Sequence, residues 1–342
     1  MPGRDRARPA TPLARAGLAL PRVGLGTAAI GNLYSPVGEG EAGKVVSAAL
    51  DKGLCYFDTA PLYGYGLAEQ RLGRALEGVD RDEVIVSTKV GRLLRAGAPP
   101  DASQYSDGEP FYKATPPVEP VWDFSYDGVL TSVAESCQRL HLDRLDMLLL
   151  HDPDSHFEQA KSSAYEALLS LRANGMTKAI GAGMNQTEVL TGLVEQCQLD
   201  VVLLAGRYTL LDQSALDDLL PACARNATAV VIGGVFNSGV LAEPAPGAHY
   251  DYLPVPEAVQ HKALRLEAIC SSYDVPLPAA ALQFPLAHPS VTSVLLGCRS
   301  VAELEMDLAW LQLELPDRLW ADLRREGLLR PDAPVPGERS DQ

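Results

Sequence analysis

Short apolar runs alternate with longer amphipathic stretches from about residue 22 almost to the end of the chain. Short apolar runs bounded by turn residues are typical of buried parallel strands, and the longer stretches repeat with the period of a helix. The candidate strands are VGLG near Val23, LCYFD ending at Asp58, VIVSTKV ending near Lys89, DMLLLH ending at His151, KAIGAGM near Ala182, VVLLAG near Leu204, AVVIGG near Ile232 and SVLLG ending at Gly297. This alternation predicts repeated βα units.

The stretches between these strands predict helices, and several end on glycine or asparagine, as C-terminal caps do. They are EAGKVVSAALDKG, LAEQRLGRALEG, DGVLTSVAESCQRL, SSAYEALLSLRANG, TEVLTGLVEQ, QSALDDLLPACAR, EAVQHKALRLEAICSSY and VAELEMDLAWL. About eight strands and eight helices indicate the α/β fold class, as a single closed (β/α)8 TIM barrel over residues 19–330. An open, doubly wound sheet has the same rhythm and is the alternative.

The two ends of the chain differ in composition from the barrel. Residues 1–18 are basic and rich in proline, and they lack the apolar core and small-residue cleavage site of a secretory signal. Residues 331–342 are polar and contain prolines. We expect both segments to be disordered tails.

Two loops are longer than a barrel requires, from about Gly91 to Ser125 and from about Val235 to Pro256. Each follows a strand, so both are expected over the C-terminal face of the barrel, where active sites are built. Aromatic side chains in these loops are candidate sugar-stacking walls, although loop aromatics as often pack locally. They are Trp122, Tyr105, Tyr112, Tyr126, Tyr250 and Tyr252.

Charge and cysteine content limit the partners. A net charge of −15 would repel a phosphate backbone, which argues against nucleic acid, and the apolar runs are too short to cross a membrane. The six cysteines are scattered and form no CxxC pair, which indicates a reducing, cytoplasmic setting. We therefore expect a cytoplasmic monomer or homodimer with a small-molecule partner.

Polar residues lie at the ends of neighbouring predicted strands. Asp58 ends the second strand and Tyr63 follows it, Lys89 ends the third strand, and His151 ends the fourth. Singly, each residue has an ordinary structural explanation: a turn cap, a packed ring, a solvated rim lysine and a satisfied core histidine. Together, on adjacent strands, they predict a catalytic site.

These residue types suit proton transfer at a carbonyl or alcohol. A lysine cation within about 4–6 Å of a phenol favours the phenolate, so Lys89 is expected to lower the pKa of Tyr63. Asp58 is the counter-ion that would keep Lys89 charged, and His151 would orient the substrate oxygen. Because none of these side chains carries a hydride, a redox reaction would need a cofactor.

These motifs resemble those of the aldo-keto reductase superfamily. The resemblance covers FDTAPLYG, VSTKVG, LLLHDPD, IGAGMNQ and LLGCRSVAEL, in order, from about Leu20 to Leu311. The segments DYLPVP, GRYTLLDQ, GGVFNSGVLA and AALQFPLAHPSV resemble the branch that contains D-threo-aldose (L-fucose) 1-dehydrogenases and pyridoxal 4-dehydrogenases. The resemblance implies that Tyr63 is the general acid/base, that Lys89 and Asp58 tune it, and that His151 positions the substrate.

The same resemblance implies a nicotinamide cofactor, with some departures from the usual contacts. Asn185 follows Gly183 and Met184 where many relatives have a serine-asparagine pair, Ala205 replaces a common glutamine, and Gly233 replaces a stacking aromatic residue. The expected cofactor contacts are Gly26 and Thr27 near the nicotinamide ribose, Asp58, Asn185, Gly297, and Gly234, Phe236 and Ser238 facing the pyrophosphate.

Charge near the expected adenosine ribose bears on the choice of cofactor. Glu303 and Asp307 supply carboxylates, which suit a ribose hydroxyl and repel a phosphate, as in other NAD-selective sites. Arg299 could instead pair with the 2′-phosphate of NADP. We therefore expect NAD, with NADP possible.

The function expected from these features is NAD-dependent oxidation of an aldose at C1 to its lactone, with Tyr63 as general base and with Tyr63, His151 and Trp122 contacting the substrate. The alternatives are an NADPH-dependent aldehyde or ketone reductase and a pyridoxal 4-dehydrogenase. Outside this class remain a Schiff-base aldolase on Lys89, a metal-dependent barrel hydrolase and a non-catalytic cofactor sensor. Of these, the hydrolase would need converging histidines, which the sequence does not suggest.

Overall fold

Eight parallel strands close into a barrel in the computed structural model, which describes residues 10–245 and 247–338. In chain order the strands are β1 (Val23–Gly26), β2 (Tyr56–Asp58), β3 (Ile85–Val90), β4 (Met147–His151), β5 (Ala179–Met184), β6 (Val201–Ala205), β7 (Ala229–Gly233) and β8 (Val291–Leu296). Each strand pairs with its neighbours in sequence, and β8 pairs with β1. The (β/α)8 prediction is confirmed, and the open sheet was the wrong alternative.

Helices surround the barrel, and each of the eight predicted helices has a counterpart. They are α1 (Glu39–Asp51), α2 (Leu67–Ala75), α3 (Tyr126–Leu140), α4 (Tyr165–Ala173), α5 (Thr187–Gln196), α6 (Leu219–Arg225), α7 (Glu257–Ser271), α8 (Leu277–Gln283), α9 (Val301–Trp310) and α10 (Asp317–Arg325). Helices α8 and α10 were not predicted from the sequence. Nearly every residue of α8 is buried, so this helix shows no amphipathic period.

The core has two parts. The larger part lies between the strands and the helices, and a smaller cluster fills the inside of the barrel. The inner cluster contains Tyr56, Met147, Leu149, Ala179, Val201, Leu203, Val231 and Leu295 from the strands. A packed interior of this kind leaves the open end of the barrel as the place for a site.

A hairpin closes the opposite end of the barrel. Its strands, Ala10–Pro12 and Ala19–Pro21, pair antiparallel, and Leu13, Leu18 and Leu20 are buried against the inner cluster. Residues 10–18 were expected in a disordered tail, but here their leucines cover apolar barrel residues that would otherwise be exposed. Residues 1–9 lie outside the described residues.

The C-terminal end shows a similar difference from the expected tail. Ala333 and Val335 are buried in the outer core, and Arg324 donates a hydrogen bond to the carbonyl of Ala333 at 2.6 Å. The packed domain therefore continues over the described residues to 338, and residues 339–342 lie outside them.

The two long loops lie over the C-terminal face of the barrel. In the first loop, strand Arg92–Arg95 pairs antiparallel with strand Glu119–Trp122. The second loop contains a small hairpin of His249–Tyr250 and Leu253–Pro254. The rings of Phe111 and Tyr252, one from each loop, are 5.4 Å apart, so the loops meet above the barrel. Among the described residues, no helix has the length and apolarity to cross a membrane.

Candidate active site

Asp58 and Lys89 form a buried ion pair at the C-terminal end of the barrel. Lys89 Nζ is 2.7 Å from Asp58 Oδ2 and donates a second hydrogen bond to the carbonyl of Thr59 at 3.0 Å. Both side chains are almost fully buried, at 1% and 2% exposure. A buried pair with this geometry keeps the lysine charged, since the neutral amine would leave the carboxylate unpaired.

Two further residues hold Asp58 in place. The hydroxyl of Ser87 donates to Asp58 Oδ1 at 2.7 Å, and the hydroxyl of Thr27 donates to the Asp58 carbonyl at 3.0 Å. Ser87 was missed by the sequence analysis. Its position two residues before Lys89 on β3 was the available signal, because side chains two apart on a strand share a face.

Tyr63 lies beside this ion pair. Lys89 Nζ is 4.5 Å from the centroid of the Tyr63 ring. The turn that places Tyr63 depends on the next residue, Gly64, which has a φ of +63° and packs against the carbonyl of Gly31. A Cβ atom at Gly64 would lie 2.2 Å from the Gly31 oxygen, so only glycine fits there without a shift of the backbone.

The structure contradicts the expectation that Lys89 lowers the pKa of Tyr63. Burial raises the pKa of Tyr63 well above the ordinary tyrosine value, and the negative charge of Asp58 raises it further. Lys89 does not offset this because its charge is neutralised by Asp58 at 2.7 Å. Tyr63 is therefore a protonated phenol at neutral pH.

His151 also lies beside Tyr63. Its ring meets the Tyr63 ring edge-on, with centroids 5.9 Å apart. Burial lowers the pKa of His151 well below its usual range, and the positive charges of Arg92 and Lys89 lower it further. A neutral imidazole offers one donor and one acceptor, which suits the orientation of a substrate oxygen.

A cavity of about 450 Å³ opens above the cluster, with Tyr63, Lys89 and His151 in its wall. Of the six candidate aromatic residues in the long loops, three line this cavity: Trp122, Tyr112 and Tyr252. Tyr105, Tyr126 and Tyr250 are not among its lining residues. Tyr126 is the first residue of α3. Tyr105 lies in a short strand of the first loop, Tyr105–Ser106, which pairs with Glu109–Pro110, and Tyr250 lies in the hairpin of the second loop.

A second cavity, a groove of about 520 Å³, adjoins the first. The expected cofactor residues that line this groove are Gly26, Asp58, Asn185, Gly234, Phe236, Ser238, Gly297, Arg299, Glu303 and Asp307. Thr27 is the exception, because its buried hydroxyl is directed to the Asp58 carbonyl instead. The two cavities share Tyr63, Asn185, Leu203, Ala205 and Tyr252, so they meet at the side chain of Tyr63.

The groove has features that fit a dinucleotide. Residues Asn237, Ser238 and Gly239 all have positive φ values, and backbone turns of this kind form concave sites for anions such as a pyrophosphate. Gly234, with a φ of +60°, lies close to Gly206, and a Cβ atom there would be 3.3 Å from the Gly206 amide. The residues present therefore fit the nicotinamide cofactor that the resemblance implied.

At the far end of the groove, Glu303 occupies the hydrogen-bonding groups of Arg299. Glu303 Oε2 accepts the backbone N–H of Arg299 at 2.7 Å, and Oε1 pairs with the guanidinium at 3.2 Å. Asp307 is buried, and the thiol of Cys298 donates to its Oδ2 at 3.4 Å. Burial raises the pKa of Asp307 to about 6.

The geometry of the site also concerns two of the alternative functions, a Schiff-base aldolase and a metal-dependent hydrolase. A Schiff-base lysine must be neutral to attack a carbonyl, whereas Lys89 is held as a cation by Asp58. Over residues 10–245 and 247–338, no group of three or more His, Cys, Asp and Glu side chains is arranged to hold a metal ion.

Two known proteins are similar in sequence to this chain along nearly its whole length. The chain is 46% identical to D-threo-aldose 1-dehydrogenase of a Pseudomonas species over 319 residues, which is 92% of this chain and 97% of the relative. It is 40% identical to pyridoxal 4-dehydrogenase of Microbacterium luteolum over 339 residues, or 93% of this chain and 97% of that one.

A solved structure shares the fold. An aldo-keto reductase from Bacillus halodurans superimposes with a TM-score of 0.71 at 23% identity, over 97% of this chain and 98% of that chain. A sequence model described as the Aldo/keto reductase family matches residues 22–325. The chain therefore belongs to the aldo/keto reductase family.

Proposed function

We propose that this oxidoreductase oxidises the cyclic hemiacetal of an aldose at C1 to the lactone, with NAD as the cofactor. The observation that carries the proposal is the position of Tyr63, which lies in the wall of both cavities. A proton-transferring group at that junction can reach a substrate in one cavity while a nicotinamide enters from the other. The family relationship makes a nicotinamide cofactor the expected hydride carrier.

In the proposed reaction, the C1 hydroxyl lies between Tyr63 and His151. A nicotinamide held in the groove would supply the acceptor for the hydride that leaves C1. Tyr63, as phenolate, takes the hydroxyl proton while the C1–O bond becomes a carbonyl, and in the reverse direction the phenol returns that proton. His151, neutral because of its burial, hydrogen-bonds the same oxygen and fixes its direction.

In this account the Lys89–Asp58 pair acts through the fixed position of its charges and does not lower the pKa of Tyr63. Lys89 holds its charge over the Tyr63 ring, where it can stabilise the phenolate as the proton leaves the substrate. The pair moves little, because Asp58 also accepts the Ser87 hydroxyl and Lys89 also donates to Thr59. A charge that is already in place costs no rearrangement during the reaction.

The preference for NAD rests on Glu303. Its carboxylate neutralises Arg299 and accepts the backbone N–H at the start of α9, so the groups that would bind a 2′-phosphate already have a partner. A second carboxylate, Asp307, lines the groove one helical turn further on. Both charges favour a ribose hydroxyl over a phosphate.

Two related substrates are supported by the relatives. The Pseudomonas relative is named for a D-threo-aldose and the Microbacterium relative for pyridoxal. Both compounds can present a cyclic hemiacetal, whose oxidation gives a lactone, so one arrangement of Tyr63 and His151 serves either. Oxidation of pyridoxal at its 4-position is thus the second candidate.

The test is the initial rate of cofactor reduction with L-fucose, D-arabinose, L-galactose and pyridoxal, each with NAD and with NADP. The proposal requires turnover of at least one sugar, faster with NAD than with NADP. Turnover of pyridoxal alone would favour the second candidate. If none of the four is turned over and NADPH is instead oxidised in the presence of simple aldehydes, a carbonyl reductase is favoured. Binding of cofactor without any turnover would indicate a sensor, and trapping of a substrate on Lys89 by borohydride would revive the aldolase.

A further inference from the structure

A partly buried ion pair that was not predicted from the sequence lies in the wall of the 450 Å³ cavity. Arg92 Nη2 is 2.8 Å from Asp152 Oδ2, and both residues line the cavity. Arg92 has 4% side-chain exposure and Asp152 has 30%. The carboxylate is thus the part of the pair that a substrate meets first, with the guanidinium directly behind it.

Each residue of the pair is held in place by its own neighbours. Arg92 is the cross-strand neighbour of Trp122 in the first long loop, and its guanidinium lies 3.9 Å from the centroid of the Trp122 ring. Asp152 follows His151 directly and has a φ of 43°, a conformation that few non-glycine residues adopt. Its backbone N–H donates to the carbonyl of Gly183 at 3.1 Å, which fixes this turn.

Arg92 has hydrogen-bonding capacity that the protein does not use. Its Nε and Nη1 atoms are buried and have no hydrogen-bond partner among the described residues. Buried unpaired donors are unfavourable, and more so on a charged group, so structures retain them mainly where they serve a purpose. A ligand in the neighbouring cavity is the partner that this position suggests.

The pair also lies next to the reacting corner. Asp152 Oδ2 is 3.5 Å from His151 Nε2, the side chain proposed to orient the C1 oxygen. A group that binds the pair is therefore attached to a carbon close to C1. A carboxylate acceptor beside guanidinium donors matches two adjacent hydroxyls, one donating to Asp152 and one accepting from Arg92.

We propose that the Arg92–Asp152 pair selects polyhydroxylated substrates by binding the adjacent hydroxyls on C2 and C3. This inference rests on the proposed aldose oxidation and names the residues that set its specificity. A simple aldehyde lacks these hydroxyls and leaves the pair unsatisfied, which a site built for hydrogen bonding penalises strongly. Trp122 then acts as a positioning residue that holds Arg92, in place of the sugar-stacking role expected from the sequence.

The experiment compares D-arabinose with 2-deoxy-D-ribose, which lacks only the C2 hydroxyl. The ratio of their kcat/KM values is measured for the wild type, Arg92→Met and Asp152→Asn. Wild type should prefer D-arabinose by about 10- to 100-fold, the worth of a hydrogen bond to a charged group. In both variants the rate with D-arabinose should fall more than the rate with the deoxy sugar, so that the ratio drops to under about threefold.

A matched control is available on the same strand. Arg95 pairs with Glu135 at 2.9 Å and does not line the cavity, so Arg95→Met should leave the ratio at the wild-type value. NADH binding, followed by fluorescence, shows that each variant is folded. If Arg92→Met does not fold, Arg92→Lys keeps the charge and loses the planar donor set, and its ratio should fall as well.

The outcomes separate the two proposals. An unchanged ratio in Arg92→Met and Asp152→Asn, or equal losses on both sugars, would overturn the specificity assignment while leaving aldose oxidation intact. A wild type that turns over neither sugar nor any other aldose would overturn the proposed function, and the assignment with it.

Discussion

The ammonium of Lys89 lies 4.5 Å from the centre of the Tyr63 ring, yet it does not make Tyr63 acidic. The reason is Asp58, whose carboxylate takes up the lysine charge at 2.7 Å. The pair behaves as a neutral unit, and burial is the largest cause of the raised pKa of the phenol. This relationship determines how rate and stability should respond to mutation and to pH.

Replacing one partner of this pair should destabilise the protein more than replacing both. Asp58→Asn leaves the Lys89 cation buried without a counter-charge and should lower the free energy of unfolding by about 3–5 kcal/mol. The double variant Asp58→Asn with Lys89→Met should recover most of that loss, measured by urea unfolding. It should still turn over at least about 100-fold more slowly than wild type. A double variant less stable than Asp58→Asn would show that the charge pair is not the source of the effect.

The rate of oxidation should rise with pH. Since the pKa of Tyr63 is raised, the phenolate that accepts the proton is scarce at neutral pH, and kcat/KM should grow about tenfold per pH unit toward pH 10, the ordinary tyrosine pKa. His151 is neutral throughout this range, so no step near its usual pKa is expected.

Tyr63→Phe is the control for that profile. It should lose about 100- to 10,000-fold in kcat with unchanged NADH binding, and its residual rate should not depend on pH. A wild-type profile that levels off near neutral pH, or a Tyr63→Phe variant with most of its turnover, would assign the proton transfer to another group.

Glu303→Gln should weaken the selection of NAD. The substitution removes the carboxylate that neutralises Arg299, so the guanidinium becomes available to a 2′-phosphate. The ratio of kcat/KM for NADP to that for NAD should rise by about tenfold, the effect of one modest charge interaction. Glu305→Gln is the matched control on the same helix, because Glu305 pairs with Lys52 outside the groove. Equal ratios in the two variants would remove Glu303 from cofactor choice.

Asp307→Asn should stabilise the protein at alkaline pH. Burial raises the pKa of Asp307 to about 6 from 3.8, so the folded protein binds this proton more tightly than the unfolded chain. The carboxyl therefore costs stability increasingly between about pH 4 and 6 and constantly above, by roughly 1–3 kcal/mol. Thermal unfolding should show a higher Tm for the variant at pH 8 and no difference near pH 4. A variant that is less stable at pH 8 would contradict this account.

The barrel and the proximity of the expected catalytic residues could be predicted from the sequence because both follow from strand ends. Asp58 and His151 end β2 and β4, and Lys89 is the last residue but one of β3 between them, so all three lie where parallel strand ends meet at one face of a barrel. Most of the expected groove residues were found for the same reason, since Gly26, Asn185 and Gly297 directly follow or end strands. The predicted lowering of the Tyr63 pKa was wrong. A sequence does not show how completely the charge of one residue is neutralised by its neighbour.

The features that were missed depend on contacts between distant loops. The Arg92–Asp152 pair joins the first long loop to the end of β4, and spacing along the chain gives no sign of it. The hairpin of Ala10–Pro12 and Ala19–Pro21 likewise gains its order from the barrel residues that it covers. Thr27 was placed in the groove by its neighbour Gly26, but its side chain turns to the Asp58 carbonyl.

The most direct test of the account uses an aldose deuterated at C1. The wild-type protein is incubated with NAD and C1-deuterated L-fucose or D-arabinose, and the reduced cofactor and the sugar product are analysed by mass spectrometry. The account predicts one deuterium in each NADH and an equal amount of the sugar lactone. Reduced cofactor without deuterium, or a product oxidised at another carbon, would contradict it.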